Sequence, residues 1–97
     1  MADDRPRHTI LGAEVPITPD DVLAATFRRD APRVTPGTWW VLIRRKRVPA
    51  RWAMTRTFAY LAAEHPDDPR PDLSRHFQTR TAVRVLRRLG FTVDQQP

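Results

Sequence analysis

The sequence predicts a single small α+β domain, with about three helices and a three-stranded, mostly antiparallel sheet. Three observations support this. The 97-residue chain is long enough for one domain. The run Trp39–Ile43 has the aromatic and β-branched composition of a strand. Three other segments carry apolar residues at helical spacing. We place the domain at residues 18–94 and expect a flexible N-terminal arm at 1–17, with at most one short extended segment.

The first helix is predicted over residues 18–30. Thr18 is suited to cap it, Pro19 fits the first helical position, and the two aspartates that follow favour the positive end of the helix dipole. Pro32 should end it. The expected buried stripe consists of Val22, Leu23, Thr26 and Phe27.

A strand over residues 38–45 follows the turn signal Pro36-Gly37. Its two faces carry, by alternation, Trp39, Val41 and Ile43 on one side and Trp40, Leu42 and Arg44 on the other. A short return strand through Arg47 and Val48 would make a hairpin with Arg45 and Lys46 at its tip.

The second helix is predicted to begin at Pro49 and to run to about Glu64. Its buried face should contain Met54, Phe58, Leu61 and Ala62. The Pro- and Asp-rich segment that follows, residues 65–74, is predicted to be a mobile loop.

The third helix has the clearest pattern, with Thr79 as its expected cap and Leu89 as its last residue. Its buried stripe is Ala82, Val85, Leu86 and Leu89, and the opposite face carries Arg80, Arg84 and Arg87. Gly90 is the natural residue to close the helix. Residues 91–93 should then form a short strand that pairs with Trp39–Ile43.

Composition excludes several classes of function. The chain has no cysteine, which excludes disulfide scaffolds, cysteine zinc sites and thiol catalysis. No segment has the roughly 20 apolar residues of a membrane span, and the N-terminus lacks the apolar core of a secretory signal. We therefore expect a cytoplasmic protein that does not bind membranes. The histidines show no metal-ligand spacing, and no nucleophile–base set is evident, so we expect no metal, no cofactor and no enzyme activity.

Positive charge is concentrated in two segments. The formal net charge is +6, and sixteen of the seventeen basic residues are arginine. Residues 28–56 hold nine basic residues and one Asp, and residues 74–91 hold five arginines and no acid. Such clustering is typical of proteins that bind nucleic acid, because arginine pairs with phosphate or guanine through two hydrogen bonds.

Two basic clusters are therefore candidate binding residues. The first, at the predicted hairpin and just beyond it, is Arg44, Arg45, Lys46, Arg47 and Arg51. The second, on the third helix and at its entry, is Arg75, Gln78, Thr79, Arg80, Arg84 and Arg87, with Arg88 nearby. Edge-strand protection and an ordinary solvated helix face are the alternatives. Trp40 shares a strand face with Arg44 and is a candidate for base stacking, whereas Trp39 is expected in the core.

The stretch from Trp39 to Val93 also resembles a known family. The segments WWVLIRRKRVPARWAM and DLSRHFQTRTAVRVLRRLGFTV are similar to the N-terminal head domain of McrA-like modification-dependent restriction endonucleases. Pro49, Arg51, Phe77 and the closing Leu-Gly-Phe-Thr-Val carry the resemblance. The chain departs from the family at the hairpin, at Val48 and at residues 78–80. The resemblance implies binding of DNA that contains 5-methylcytosine, coupled to a separate nuclease domain.

The sequence thus predicts a non-catalytic protein that binds double-stranded DNA. The resemblance further implies that this protein recognises 5-methylcytosine. Two alternatives stay open: an RNA-binding or nonspecific nucleic-acid-binding protein, and a small regulatory module with an acidic protein partner. A homodimer and a nuclease or regulatory partner protein are both compatible with this prediction.

Overall fold

A computed structural model describes residues 7–10, 12–68 and 78–97. The elements in chain order are β1 (Arg7–Ile10), β2 (Ala13–Pro16), α1 (Pro19–Thr26), β3 (Trp39–Ile43), β4 (Lys46–Pro49), α2 (Ala50–Glu64), α3 (Thr79–Arg88) and β5 (Val93–Gln95). These elements make a small α+β domain, as the sequence predicted.

The central sheet has the strand order β4-β3-β5, with both pairs antiparallel. Val41 lies opposite Val48 on one side and Val93 on the other, so these valines share the face that packs on the core. The predicted third strand at 91–93 is found two residues later, at Val93–Gln95. The shift arises because Phe91 is still engaged with the end of α3, where its amide donates to the carbonyl of Leu86 at 3.1 Å.

Helix α1 begins as predicted. The Thr18 hydroxyl accepts from the amide of Asp21 at 3.2 Å, and the Asp21 carboxylate accepts from the amide of Thr18 at 2.9 Å, which together form a capping box. The helix ends at Thr26 rather than near Asp30, and Phe27 is 53% exposed rather than buried. The apolar stripe stops at Thr26, since a further turn would only bring charged residues toward the core.

Helix α2 is the centre of the domain, and it packs against α1, α3, β3 and β4. Its bounds match the prediction, with Pro49 as N-cap. Ala62 was predicted to be buried but is exposed. The buried face is instead centred nearer the start of the helix, because the neighbouring elements also cover Ala53 and Thr57.

Helix α3 has the predicted division into two faces. Ala82, Val85 and Leu86 are at most 1% exposed. The helix closes with a Schellman motif: the amide of Gly90, at φ +95°, donates to Arg87, and the amide of Phe91 donates to Leu86. Thr79 is the first helical residue and not the cap. The cap is Gln78, whose side chain makes no capping hydrogen bond.

The N-terminal segment differs from the predicted flexible arm over residues 7–10 and 12–17. Strands β1 and β2 form an antiparallel hairpin, and Ile10, Val15 and Ile17 are buried in the core at 0–1% exposure. Gly12 and Pro16 are residues that disfavour strand interiors, but the hairpin accommodates both: Gly12 lies in the turn at φ +84°, and Pro16 is the last strand residue. Residues 1–6, and residues 69–74 of the predicted mobile loop, lie outside the described part of the chain.

Candidate nucleic-acid interface

An open groove of about 840 Å³ runs between α3 and the end of the central sheet where β3 begins and β4 and β5 finish. One wall comes from α3 and consists of Thr79, Arg80, Val83, Arg84, Arg87 and Arg88. The other wall consists of Gly37, Thr38, Trp39, Pro49, Arg51 and Gln95. We call this feature the arginine groove, because five arginines line it. Four of them lie on α3 and the fifth, Arg51, lies in the first turn of α2.

The amphipathic pattern of α3 places arginines along the groove. Burial of Ala82, Val85 and Leu86 turns the opposite face of the helix toward solvent. Arg80 and Arg84 lie on this face one turn apart, and both are exposed. Val83 is 8% exposed and borders both the core and the groove. The same burial that stabilises the helix therefore presents a row of guanidinium groups.

The charge of the groove is uniformly positive. Its lining contains five arginines and no Asp or Glu. Among the described residues, no carboxylate forms an ion pair with any of these five. The N-terminus of α3 adds the positive end of a helix dipole, with no acidic residue in its first turn. Five like charges with no compensating acid repel one another, and a bound anion would relieve that repulsion.

Trp39 forms the aromatic part of the groove. The Cζ atom of Arg87 lies 5.6 Å from the centroid of the Trp39 ring, within cation–π range. Nη2 of Arg87 is also 3.4 Å from the carbonyl oxygen of Val93, a long hydrogen bond to the sheet. These two contacts hold Arg87 against the tryptophan. Trp39 was expected only in the core, but it borders the groove as well as packing on the core.

The β3–β4 hairpin carries the other basic cluster. Ile43 pairs with Lys46, so the turn residues are Arg44 and Arg45 rather than the predicted Arg45 and Lys46. Both have positive φ, +49° and +67°, as a two-residue type I′ turn requires. The prediction was displaced by one residue because Asn-Gly or Asp-Gly, the usual sequence signal for such a turn, is absent here.

Arg47 lies over Trp40 on the sheet face opposite the core. Its Cζ atom is 4.5 Å from the Trp40 ring centroid, and its Nη1 donates to Gln96 at 3.2 Å. Trp40 is consequently only 8% exposed. The indole N–H of Trp40 is buried and has no hydrogen-bond partner in the part of the chain that the structure describes. Any base that stacks on Trp40 must first displace Arg47.

Phe27 is the most exposed large apolar side chain among the described residues, at 53%. Two guanidinium groups approach its ring: Cζ of Arg28 lies 5.2 Å from the ring centroid, and Cζ of Arg44 lies 5.0 Å from it. We call Phe27, Arg28 and Arg44 together the Phe27 platform. Sequence reasoning missed it, because Phe27 had been assigned to the buried stripe of α1.

The structure brings together part of the predicted binding set. Five predicted residues line the arginine groove: Arg51, Thr79, Arg80, Arg84 and Arg87. Gln78 is exposed immediately before α3. The hairpin residues Arg44, Arg45, Lys46 and Arg47 are exposed but do not line the groove. Arg75 and Phe77 lie outside the described residues. The groove residues that the prediction missed are mainly Trp39, Val83 and Gln95, whose positions depend on long-range packing.

Across the described segments, no three His, Asp or Glu side chains come together in a way that could hold a metal ion. No helix in those segments is long and apolar enough to cross a membrane.

Fold and site together define a small α+β domain with an arginine-lined groove. No protein-family model matches the chain, and searches of curated proteins and of solved structures give no significant match. The resemblance to modification-dependent restriction endonucleases therefore remains a prediction from the sequence.

Proposed function

We propose that this protein binds nucleic acid, with duplex DNA as the preferred ligand, and that the arginine groove is its main contact surface. The observation that carries the proposal is the lining of the groove, with five arginines and no acidic residue. Arginine forms short, charge-assisted hydrogen bonds to phosphate, commonly in pairs. A row of arginines along α3 is suited to follow a phosphate backbone.

Single-stranded nucleic acid is a second candidate, and Trp39 is the observation that favours it. Proteins that bind single strands combine a basic groove with aromatic rings on which bases stack. Trp39 lies in the groove wall beneath Arg87. A duplex keeps its bases stacked inside the helix, so stacking on Trp39 would favour RNA or single-stranded DNA over the duplex.

The direct test is a fluorescence anisotropy titration with a labelled duplex of about 20 base pairs and the matching single strand. If about five phosphates are neutralised, log K should fall with log salt at a slope of about −4 to −5 for the duplex. Arg84→Ala should weaken binding. Arg29→Ala is the matched control, because Arg29 is an exposed arginine outside the groove.

Equal weakening by Arg84→Ala and Arg29→Ala would reject the groove as the contact surface. Absence of duplex and single-strand binding at low salt would reject nucleic acid as the ligand, and an acidic protein partner would become the leading proposal. If the single strand binds more tightly than the duplex, single-stranded nucleic acid becomes the preferred ligand in place of duplex DNA.

Preference for 5-methylcytosine is the finer form of the proposal, and it rests on the family resemblance. Thr79 lines the groove, and the exposed Gln78 immediately precedes Thr79 in the chain. We propose that these two side chains contact a base edge. Packing one methyl group contributes about 0.8 kcal/mol, or roughly fourfold in affinity. A competition titration between matched methylated and unmethylated duplexes measures this ratio. Equal affinities would leave a general DNA-binding protein and remove the role in reading modified bases.

A further inference from the structure

We infer that the Phe27 platform is a second phosphate-binding site, separate from the arginine groove, which binds the backbone of the same nucleic acid. The inference rests on the proposed function and adds Phe27 and Arg28 to the residues that carry it. Neither residue lines the groove.

The platform is formed by two segments far apart in the chain. Phe27 and Arg28 follow the end of α1, and Arg44 lies at the tip of the β3–β4 hairpin. Both guanidinium carbons lie about 5 Å from the same ring centroid, so they are at most about 10 Å apart. The ring thus holds two like charges no more than about 10 Å apart, comparable to the Debye length of about 8 Å at physiological salt, so the two guanidinium groups still repel one another.

Backbone conformation reinforces the arrangement. The described residues include three non-glycine residues with positive φ, and all three are arginines at or next to the platform: Arg28, Arg44 and Arg45. Left-handed backbone is unfavourable for a residue with a Cβ atom. Arginine is therefore not the residue that these turns favour, and two of the three, Arg28 and Arg44, contact the Phe27 ring.

Phosphate is the ligand class that fits the platform best. Both guanidinium groups are exposed, and neither has an ion pair with a carboxylate among the described residues. A phosphate bound at the platform accepts hydrogen bonds from the guanidinium groups and offsets their repulsion. The exposed phenyl ring restricts the two side chains before the ligand arrives, which lowers the entropy lost on binding.

The test uses the neighbouring arginines Arg28 and Arg29, which are both exposed and differ in contact with the ring. Duplex binding is measured over a series of salt concentrations for the wild type, Arg28→Ala and Arg29→Ala. Arg28→Ala should reduce the magnitude of the salt slope by about one and weaken binding on the order of tenfold at about 50 mM salt. Arg29→Ala removes the same charge and should change the affinity by less than about twofold, since no phosphate contact is lost.

The duplex affinity of the Phe27→Leu variant tests the role of the ring separately from the charge. It keeps the net charge and removes the ring, so duplex binding should weaken although no basic residue is lost. Thermal melts confirm that each variant is folded. Equal salt slopes for Arg28→Ala and Arg29→Ala, or wild-type affinity for Phe27→Leu, would overturn the second site. If Arg84→Ala still weakens binding in that case, the groove proposal survives. A wild type that binds neither the duplex nor the single strand would reject both.

Discussion

Arginine occupies backbone positions where glycine or asparagine would be expected. Arg44 and Arg45 are the central pair of a turn that requires positive φ at both positions. A left-handed conformation costs a residue with a Cβ atom about 1–2 kcal/mol. Glycine at either turn position would therefore make the hairpin more stable.

Replacement of Arg45 by glycine should raise the free energy of unfolding by roughly 0.5–1 kcal/mol. Glycine removes the Cβ strain at φ +67°, and this gain exceeds the entropy cost of glycine in the unfolded chain. Denaturant unfolding measures the change. Arg33→Gly is the control, since Arg33 is exposed and does not have positive φ. It should leave stability unchanged or lower it. A less stable Arg45→Gly protein would show that this backbone is not strained.

At the scale of the element, the two faces of helix α3 have different surroundings: one packs on the core and the other lines the groove. Leu86 is fully buried in the core, whereas Arg84 is exposed in the groove. A single amphipathic segment thus links the stability of the domain to the position of the arginines that we propose bind nucleic acid. The contribution of α3 to stability and its proposed contribution to binding can be separated by mutation, because they belong to different side chains.

Leu86→Ala should lower the free energy of unfolding by about 2–5 kcal/mol, as truncation of a buried leucine does. Arg84→Ala should change it by no more than about 0.5 kcal/mol, because the side chain is exposed and has no ion pair in the described residues. Thermal and denaturant melts of both variants give the comparison. The reverse ranking would contradict the assignment of the two faces.

Local patterns predicted α3, β3 and the bounds of α2, because helical spacing and β-branched composition act over a few residues. The sequence also predicted Thr18 as the N-cap of α1, although not the reciprocal hydrogen bond from the amide of Thr18 to Asp21. The end of α1 and the N-terminal hairpin were not predicted correctly. Burial of Ile10 and Ile17 depends on packing with distant elements, and no residue within the hairpin indicates it.

At the scale of the whole molecule, the groove gathers residues from four separate parts of the chain: 37–39, 49–51, 79–88 and 95. The sequence predicted two segments of positive charge, since charge can be counted along the chain. It did not predict that Arg51 joins the α3 arginines while the hairpin arginines lie elsewhere. That division follows from the packing of α2 and β3 against α3, which places the start of α2 beside the groove and leaves the hairpin tip outside it.

The cation–π contacts have an optical consequence. Arg87 lies over Trp39 in the groove, and Arg47 lies over Trp40 on the other face of the sheet. Indole emission is sensitive to a nearby positive charge, so a ligand that draws Arg87 away from its ring changes the intrinsic fluorescence of Trp39 without any attached dye. Because Trp40 and Trp52 emit in the same range, the signal of Trp39 is read from a protein in which both of the other tryptophans are replaced by phenylalanine.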